Sequence, residues 1–146
     1  MSLEHYSINI HAPFKESSKK VKEPTFWLPF LPGFSKLNQL SDYSYSVKTS
    51  LPLGSFTHET TLIFYFEPEI KFNEVHFTFS SKNNHITGLG ELIVLPKSDD
   101  IIKLEISLEL HLKGRKFLLL TPLLPSLKDS WAKNILNEVK VTLENK

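Results

Sequence analysis

The sequence predicts an α+β fold in which one long C-terminal helix covers a curved antiparallel sheet of about six or seven strands, with two short helices near the start. Apolar residues alternate with polar ones through most of the stretch from Tyr43 to Lys113, which is typical of strands. Beyond Leu127 the apolar period changes to about four residues, which indicates an amphipathic helix. The 146 residues, 40% of them hydrophobic, fit a single domain spanning residues 1–146.

The first elements are one strand and two short helices. Alternating apolar residues over Tyr6–Ile10 predict the strand. A strongly charged helix is expected over Lys15–Glu23, bounded by Pro13 and Pro24. A second short helix or turn carries Phe26–Leu28.

The middle of the chain predicts a meander of strands. The first runs over Tyr43–Leu51 and ends at a turn over Pro52–Gly54. Further strands are expected over Ser55–Phe66, Val75–Phe79 and His85–Leu95.

Two glycines interrupt the last of these strands. Gly88 and Gly90 suggest a bulge or a close approach of backbone or ligand. A loop is expected over Pro96–Asp100, and Ile102–Leu112 has the clearest alternation in the chain.

The C-terminal helix carries an apolar stripe from Leu127 to Leu143, with Ser126 as the expected N-cap and Pro122 and Pro125 just upstream. A sheet with one apolar face must cover that face. This helix is the only predicted element long enough to do so.

Composition excludes several classes of protein. Lys+Arg 17 against Asp+Glu 16 gives a net charge of +1, which argues against nucleic-acid binding. The absence of cysteine removes disulfides, thiolate metal sites and cysteine nucleophiles. Neither a signal peptide nor a membrane span is expected, because Pro122 and Pro125 interrupt the most apolar segment, Phe117–Leu124. We therefore expect a cytoplasmic protein.

Metal and cofactor sites are not expected. His5 and His11 share a strand face but lie about 20 Å apart at the usual strand rise. With His76, His85 and His111 they alternate with polar residues, so all five are expected to face solvent. Glu105 and Glu109 also share a solvent-facing pattern. Abundant Lys and Glu are typical of thermophilic proteins, whereas the number of Asn residues argues the other way.

Several short motifs, in this order and spacing, resemble the START/Bet v 1-like helix-grip superfamily (SRPBCC), and within it the carbon monoxide dehydrogenase G-like branch. They are Ala12-Pro13, Pro24, Leu31-Pro32-Gly33, Val47-Lys48, Gly54-Ser55-Phe56, and Gly90-Glu91 with Leu92 and Val94.

The chain also departs from that family in three respects. Ser17-Ser18 stand where an aliphatic residue and Trp are typical, so the first helix is expected to pack more loosely. His58 stands where the family has a small Gly, which predicts a smaller or more polar pocket. The sequence stops at Lys146, so the membrane anchor of some members of the G-like branch is not expected here.

The resemblance implies an apolar cavity between the sheet and the C-terminal helix. Residues on the predicted concave face are the candidates for its lining, although packing of a solid core is the alternative for each of them. They are Tyr45, Val47, Phe56, His58, Thr60, Leu62, Phe77, Phe79, Leu92, Leu104, Ile106, Leu108, Trp131 and Ile135.

His58 is the sharpest candidate, because an imidazole on an apolar face could donate to a ligand carbonyl or act as a general base. A histidine satisfied within the core is the competing interpretation. The apolar segment Leu28–Phe34 is expected near the cavity mouth, as a lid, a cap on the core or a contact with a second copy of the chain.

Three functions remain open. The preferred one is non-enzymatic binding of a small hydrophobic or amphipathic ligand, by a monomer or homodimer. The resemblance implies a second, an accessory factor that assembles or recruits a carbon monoxide dehydrogenase-like molybdenum oxidoreductase, with the oxidoreductase subunits as partners. The third is a cyclase or lyase that uses His58 as base.

Overall fold

The computed structural model describes residues 4–53, 56–68 and 71–145, apart from the side chains of Pro52, Leu53, Phe56 and Lys116. It confirms the predicted helix-grip arrangement of a seven-stranded antiparallel sheet, short helices and a long C-terminal helix. The strands are β1 (Glu4–His11), β2 (Phe34–Ser41), β3 (Ser44–Leu53), β4 (Phe56–Phe66), β5 (Glu74–Ser81), β6 (Ile86–Ser98) and β7 (Ile101–Leu112). The helices are α1 (Phe14–Val21), α2 (Pro24–Trp27), α3 (Arg115–Leu118) and α4 (Leu124–Glu144), with 3₁₀ turns at Leu28–Phe30 and Thr121–Leu123.

The sheet has the order β1-β7-β6-β5-β4-β3-β2, so the first strand closes one edge by pairing with the last. Tyr6 lies opposite Ile106, and Ile10 lies opposite Ile102. The remaining strands are neighbours in sequence and form a meander from β2 to β7. Side chains on the inner face of this sheet meet α4 and the segment around α2.

β2 was absent from the sequence prediction. It forms the second edge of the sheet, where Leu37 pairs with Val47. Most of its side chains are exposed, so it lacks the alternation of buried apolar residues that marks a strand in a sequence.

Two predicted turns were placed too early in the chain. β3 continues through the expected turn to Leu53, and Pro52 pairs with Thr57. Gly54 and Ser55, in that same predicted connection, lie outside the described residues. The predicted loop at Pro96–Asp100 was also too long, because β6 extends to Ser98, which pairs with Ile101. A register shift between Pro96 and Ser98 accommodates the proline near the strand end.

Ser126 was wrongly predicted as the N-cap of the long helix. α4 begins at Leu124, and Pro125 occupies its first turn. Proline suits this place, because the first N–H groups of a helix have no intrahelical acceptor. The helix start therefore follows directly from the 3₁₀ turn at Thr121–Leu123, with no side-chain cap.

α4 lies against β1 and β7 and buries its apolar stripe there. Its last turn is fastened to β1: a Glu144 carboxylate oxygen accepts the backbone N–H of His11 at 2.8 Å. The Lys140 ammonium bonds the same carboxylate at 2.6 Å and the Asn9 carbonyl at 3.1 Å. Among the described residues, no helix combines the length and apolar character needed to cross a bilayer.

The two glycines of β6 are explained by phenyl rings from the neighbouring strand β5. Phe77 pairs with Gly90, and Phe79 pairs with Gly88. A Cβ atom at Gly88 would lie 2.4 Å from the Phe79 ring, and one at Gly90 would lie 2.6 Å from the Phe77 ring. The close approach expected from the sequence is thus made by the protein's own side chains.

Candidate functional site

The structure places most of the predicted lining residues in the interior. Tyr45 and Val47 lie on β3, Leu62 on β4, Phe77 and Phe79 on β5, Leu92 on β6, Leu104, Ile106 and Leu108 on β7, and Trp131 and Ile135 on α4; all of these are buried. His58 and Thr60 on β4 are only partly buried, and the Phe56 side chain lies outside the described residues.

Aromatic rings occupy the centre of this interior. Phe79 stacks on Phe64 with ring centroids 5.1 Å apart and contacts Trp131 at 5.4 Å. Phe77 contacts Trp27 of α2 at 5.3 Å. This mutual packing accounts for the burial of these rings. Of the predicted lining set, Tyr45, His58, Thr60 and Phe77 also border clefts that open to the surface.

The largest of these clefts lies where β4 extends beyond β5, and we call it the histidine cleft. Leu62 pairs with Ser81, the last residue of β5, while residues 57–61 of β4 pair with β3 alone. The resulting gap holds a volume of about 560 Å³. That size is within the range of roughly 300–1,000 Å³ usual for small-molecule sites.

Two imidazoles face the same phenyl ring in the histidine cleft. The ring centroids of His58 and Phe117 are 5.1 Å apart, and those of His85 and Phe117 are 5.2 Å apart. His58 comes from β4, His85 from the β5–β6 turn and Phe117 from α3. The sequence had placed His85 on a solvent-facing strand position; the structure corrects this, because β6 begins one residue later.

Local backbone geometry positions His85 and Phe117. The His85 carbonyl accepts the Lys113 N–H at 2.7 Å. Gly114 follows with φ of 93°, a conformation that favours glycine, and a Cβ atom there would lie 3.3 Å from the His85 ring. The glycine thus lets the chain turn beside the imidazole and enter α3. The single Gly between β7 and the apolar segment was the sequence signal that could have indicated this turn.

The rim of the histidine cleft is polar and carries both signs of charge. Lys48 and Lys82 contribute ammonium groups, and Glu59 contributes a carboxylate. Ile86 and Phe117 supply the apolar part of the wall. The cleft therefore suits an amphipathic molecule better than a purely apolar one.

The other histidines engage neighbouring polar groups. His76 contacts the carboxylates of Glu74 at 3.0 Å and Glu91 at 3.4 Å. His5 shares a hydrogen bond of 2.7 Å with the Ser107 hydroxyl, and His111 lies 3.3 Å from Glu109. Within the described ranges no three His, Asp or Glu side chains converge as metal ligands.

The apolar segment Leu28–Phe34 is fastened to two elements. The Thr49 hydroxyl donates to the Pro32 carbonyl at 2.7 Å, and the Ser50 N–H donates to the Gly33 carbonyl at 3.0 Å. The Asn134 side-chain amide of α4 donates to the Phe30 carbonyl. With Leu28 and Leu31 buried, the segment covers one end of the core.

Comparison with solved structures supports the fold at low sequence identity. A conserved protein from Geobacillus kaustophilus has a TM-score of 0.72 at 13% identity, covering 94% of this chain and 95% of that one. The Zhui aromatase/cyclase from Streptomyces sp. R1128 has a TM-score of 0.70 at 11% identity, covering 99% and 94%. Norcoclaurine synthase from Thalictrum flavum, in complex with dopamine and hydroxybenzaldehyde, has a TM-score of 0.65 at 20% identity, covering 99% and 88%.

These similarities, with the architecture described above, establish a Bet v 1-like (SRPBCC) fold. No family model matches the chain, and no curated protein matches it either. The finer resemblance to the carbon monoxide dehydrogenase G-like branch, and the oxidoreductase partner that it implies, remain predictions.

Proposed function

We propose that the protein binds a small amphipathic ligand in the histidine cleft, without transforming it. The observation that carries this proposal is the meeting of His58 and His85 on the Phe117 ring at the open end of the sheet. An aromatic wall and two imidazoles provide apolar contact together with hydrogen bonds to an oxygen-bearing group. The ligand class is therefore a molecule with an apolar ring and a carbonyl, phenol or acidic oxygen.

A buried indole supports a polar group on the part of the ligand that enters the interior. Trp131 Nε1 is buried, and no hydrogen-bond acceptor reaches it within the described part of the chain. An unsatisfied buried donor costs about 1–3 kcal/mol. Trp131 packs on Phe79, which shares the inner face of β5 with Ser81 at the cleft wall. A ligand oxygen at this depth would satisfy the indole.

Titration with anilinonaphthalene sulfonate tests the site, because this dye combines aromatic rings with an anionic group. We expect saturable fluorescence enhancement, with Kd raised about three- to tenfold in His58→Ala and in His85→Ala, which is the contribution of one hydrogen bond. His111→Ala, on the outer face beside Glu109, is the matched control and should bind as the wild type does. Equal affinity in all four proteins would refute the assignment of the site.

The same two imidazoles favour a second candidate, a cyclase or lyase. One imidazole accepts a proton from a carbon next to a carbonyl, and the other donates a proton to the oxygen that becomes negative. The names of two structural neighbours, an aromatase/cyclase and a synthase, are consistent with this chemistry.

Deuterium exchange distinguishes catalysis from binding alone. An aryl β-diketone is incubated with the protein in deuterated buffer, and loss of its methylene proton signal is followed by NMR. Exchange faster than in buffer, abolished in His58→Ala and retained in His111→Ala, would support the enzyme. Exchange at the buffer rate would leave the binding function as the sole proposal.

A further inference from the structure

A second cleft lies at the opposite end of β4 from the histidine cleft. Tyr45, Phe66 and Val75 form its floor, and Tyr43 stands at its edge. Its volume is about 310 Å³, which is at the small end of the range for ligand sites and fits a single aromatic ring with a short substituent. His58 and Phe66 are eight residues apart on β4, or about 26 Å at the usual strand rise, so the two clefts are separate sites.

Carboxylates dominate the charge around this second cleft. Asp42, Glu67 and Glu74 line it, together with one cation, Lys22. The Lys22 ammonium is turned to the Lys71 carbonyl, to which it donates at 2.7 Å. The hydrogen bond from His76 holds the pKa of the Glu74 carboxyl below its usual range, so that this group stays ionised at neutral pH. The lining thus carries a surplus of negative charge.

Two of these carboxylates are available to a ligand. In the described part of the chain, the side chains of Asp42 and Glu67 form neither an ion pair nor a hydrogen bond, while their backbone is held by the sheet. Next to Asp42, the Tyr43 carbonyl accepts the Phe66 N–H at 2.8 Å, and the Glu67 N–H donates to the His76 carbonyl at 2.9 Å. The walls are therefore fixed while their acidic groups remain unpaired.

The phenol of Tyr45 also points to a ligand. Tyr45 is only 7% exposed, and its ring packs edge-on against Phe66 with centroids 5.7 Å apart. Among the described residues no group forms a hydrogen bond with its hydroxyl, although the side chain borders the cleft. The hydroxyl therefore keeps its hydrogen-bonding capacity for a molecule in the cleft.

We propose that this second cleft binds the cationic group of a small arylalkyl amine. The ring faces of Tyr43, Tyr45 and Phe66 would contact the aromatic part and the cation, as aromatic side chains do with ammonium groups. Asp42 and Glu67 supply the opposite charge, and the Tyr45 hydroxyl accepts a hydrogen bond from a primary ammonium. The site has the opposite charge preference to the histidine cleft and does not depend on the function proposed there.

Two cationic probes separate the contributions of charge and hydrogen bonding. Benzyltrimethylammonium carries a permanent charge but no N–H donor, and phenethylammonium carries both. Amide chemical shifts in a ¹⁵N-labelled sample report where each probe binds. We expect shifts concentrated at residues 42–45 and 66–67 with both probes, and none there with benzenesulfonate.

Variants then test each part of the site. Asp42→Asn and Glu67→Gln should each raise Kd about two- to fivefold for both probes, as expected for partly exposed ion pairs. Tyr45→Phe should weaken phenethylammonium alone. Asp100→Asn, in the exposed β6–β7 turn, is the control and should leave both affinities unchanged. The proposal is overturned if the sulfonate shifts the same amides, if neither cation does, or if the acidic variants bind like the wild type.

Discussion

Two serines of α1 are buried without hydrogen-bond partners. Ser17 and Ser18 are each 1% exposed, and within the described residues neither hydroxyl finds an acceptor or donor. They occupy positions where the family that the sequence resembles has larger apolar residues. The helix therefore buries small polar side chains at a cost that its packing must offset.

Replacing either serine should stabilise the protein. We expect Ser17→Ala and Ser18→Ala each to raise the free energy of unfolding by about 1 kcal/mol, because an unpaired buried hydroxyl is removed and alanine has the higher helix propensity. Urea denaturation followed by circular dichroism measures the change.

Ser126→Ala in α4 is the matched control. Ser126 is exposed and lies inside the first turn rather than at the N-cap, so its replacement should change stability by less than about 0.5 kcal/mol. A loss of about 1 kcal/mol there would instead indicate a capping role. A loss of stability in the α1 variants would show that their hydroxyls are satisfied.

At the scale of elements, the end of α4 is held to β1 by a charge-dependent clasp. The backbone N–H of His11, and then the Lys140 ammonium, hold the pKa of the Glu144 carboxyl below its usual range. A carboxyl whose pKa is lower in the folded state stabilises the fold above its unfolded pKa. That contribution is lost as the pH falls through the folded pKa.

Glu144→Gln should therefore destabilise the protein at pH 7 but have progressively less effect below about pH 4.5, the ordinary value for the group. Urea midpoints of wild type and variant, measured across this range, give the difference. Glu138→Gln, an exposed carboxylate on the same helix, is the control and should show no such convergence. A wild-type advantage that persists at low pH would exclude the clasp as its source.

The whole molecule has its core between one sheet and the elements laid across it. Trp27 of α2 and Trp131 of α4 both contact phenyl rings of β5, which places the two indoles in the same hydrophobic core. This continuity favours the single domain predicted over residues 1–146. A shared core predicts cooperative unfolding, since no part of it can open without exposing the rest.

Denaturation should accordingly be a two-state process. Tryptophan fluorescence reports the core, and far-ultraviolet circular dichroism reports the sheet and helices. We expect the two urea transitions to coincide in midpoint and slope. Separate transitions would indicate more than one folding unit and contradict the single domain.

The reach of the sequence differed between strands and sites. The alternation over Ile102–Leu112 predicted β7 nearly residue by residue, because a strand buried on one face must repeat every second residue. β2 left no such pattern, because it is an exposed edge. Similarly, the start of α4 depended on a 3₁₀ turn and a proline rather than on a capping serine.

The sequence by itself determined the fold class, the succession of most elements and the burial of the apolar stripe on α4, because periodicity is a local property of the chain. Only the tertiary structure decided that phenyl rings cover the β6 glycines, that His85 joins His58 at Phe117, and that Tyr45 faces unpaired carboxylates. Each of these arrangements joins residues from different elements. Their distances depend on strand register and on where β4 extends beyond its neighbour, and no local pattern records either.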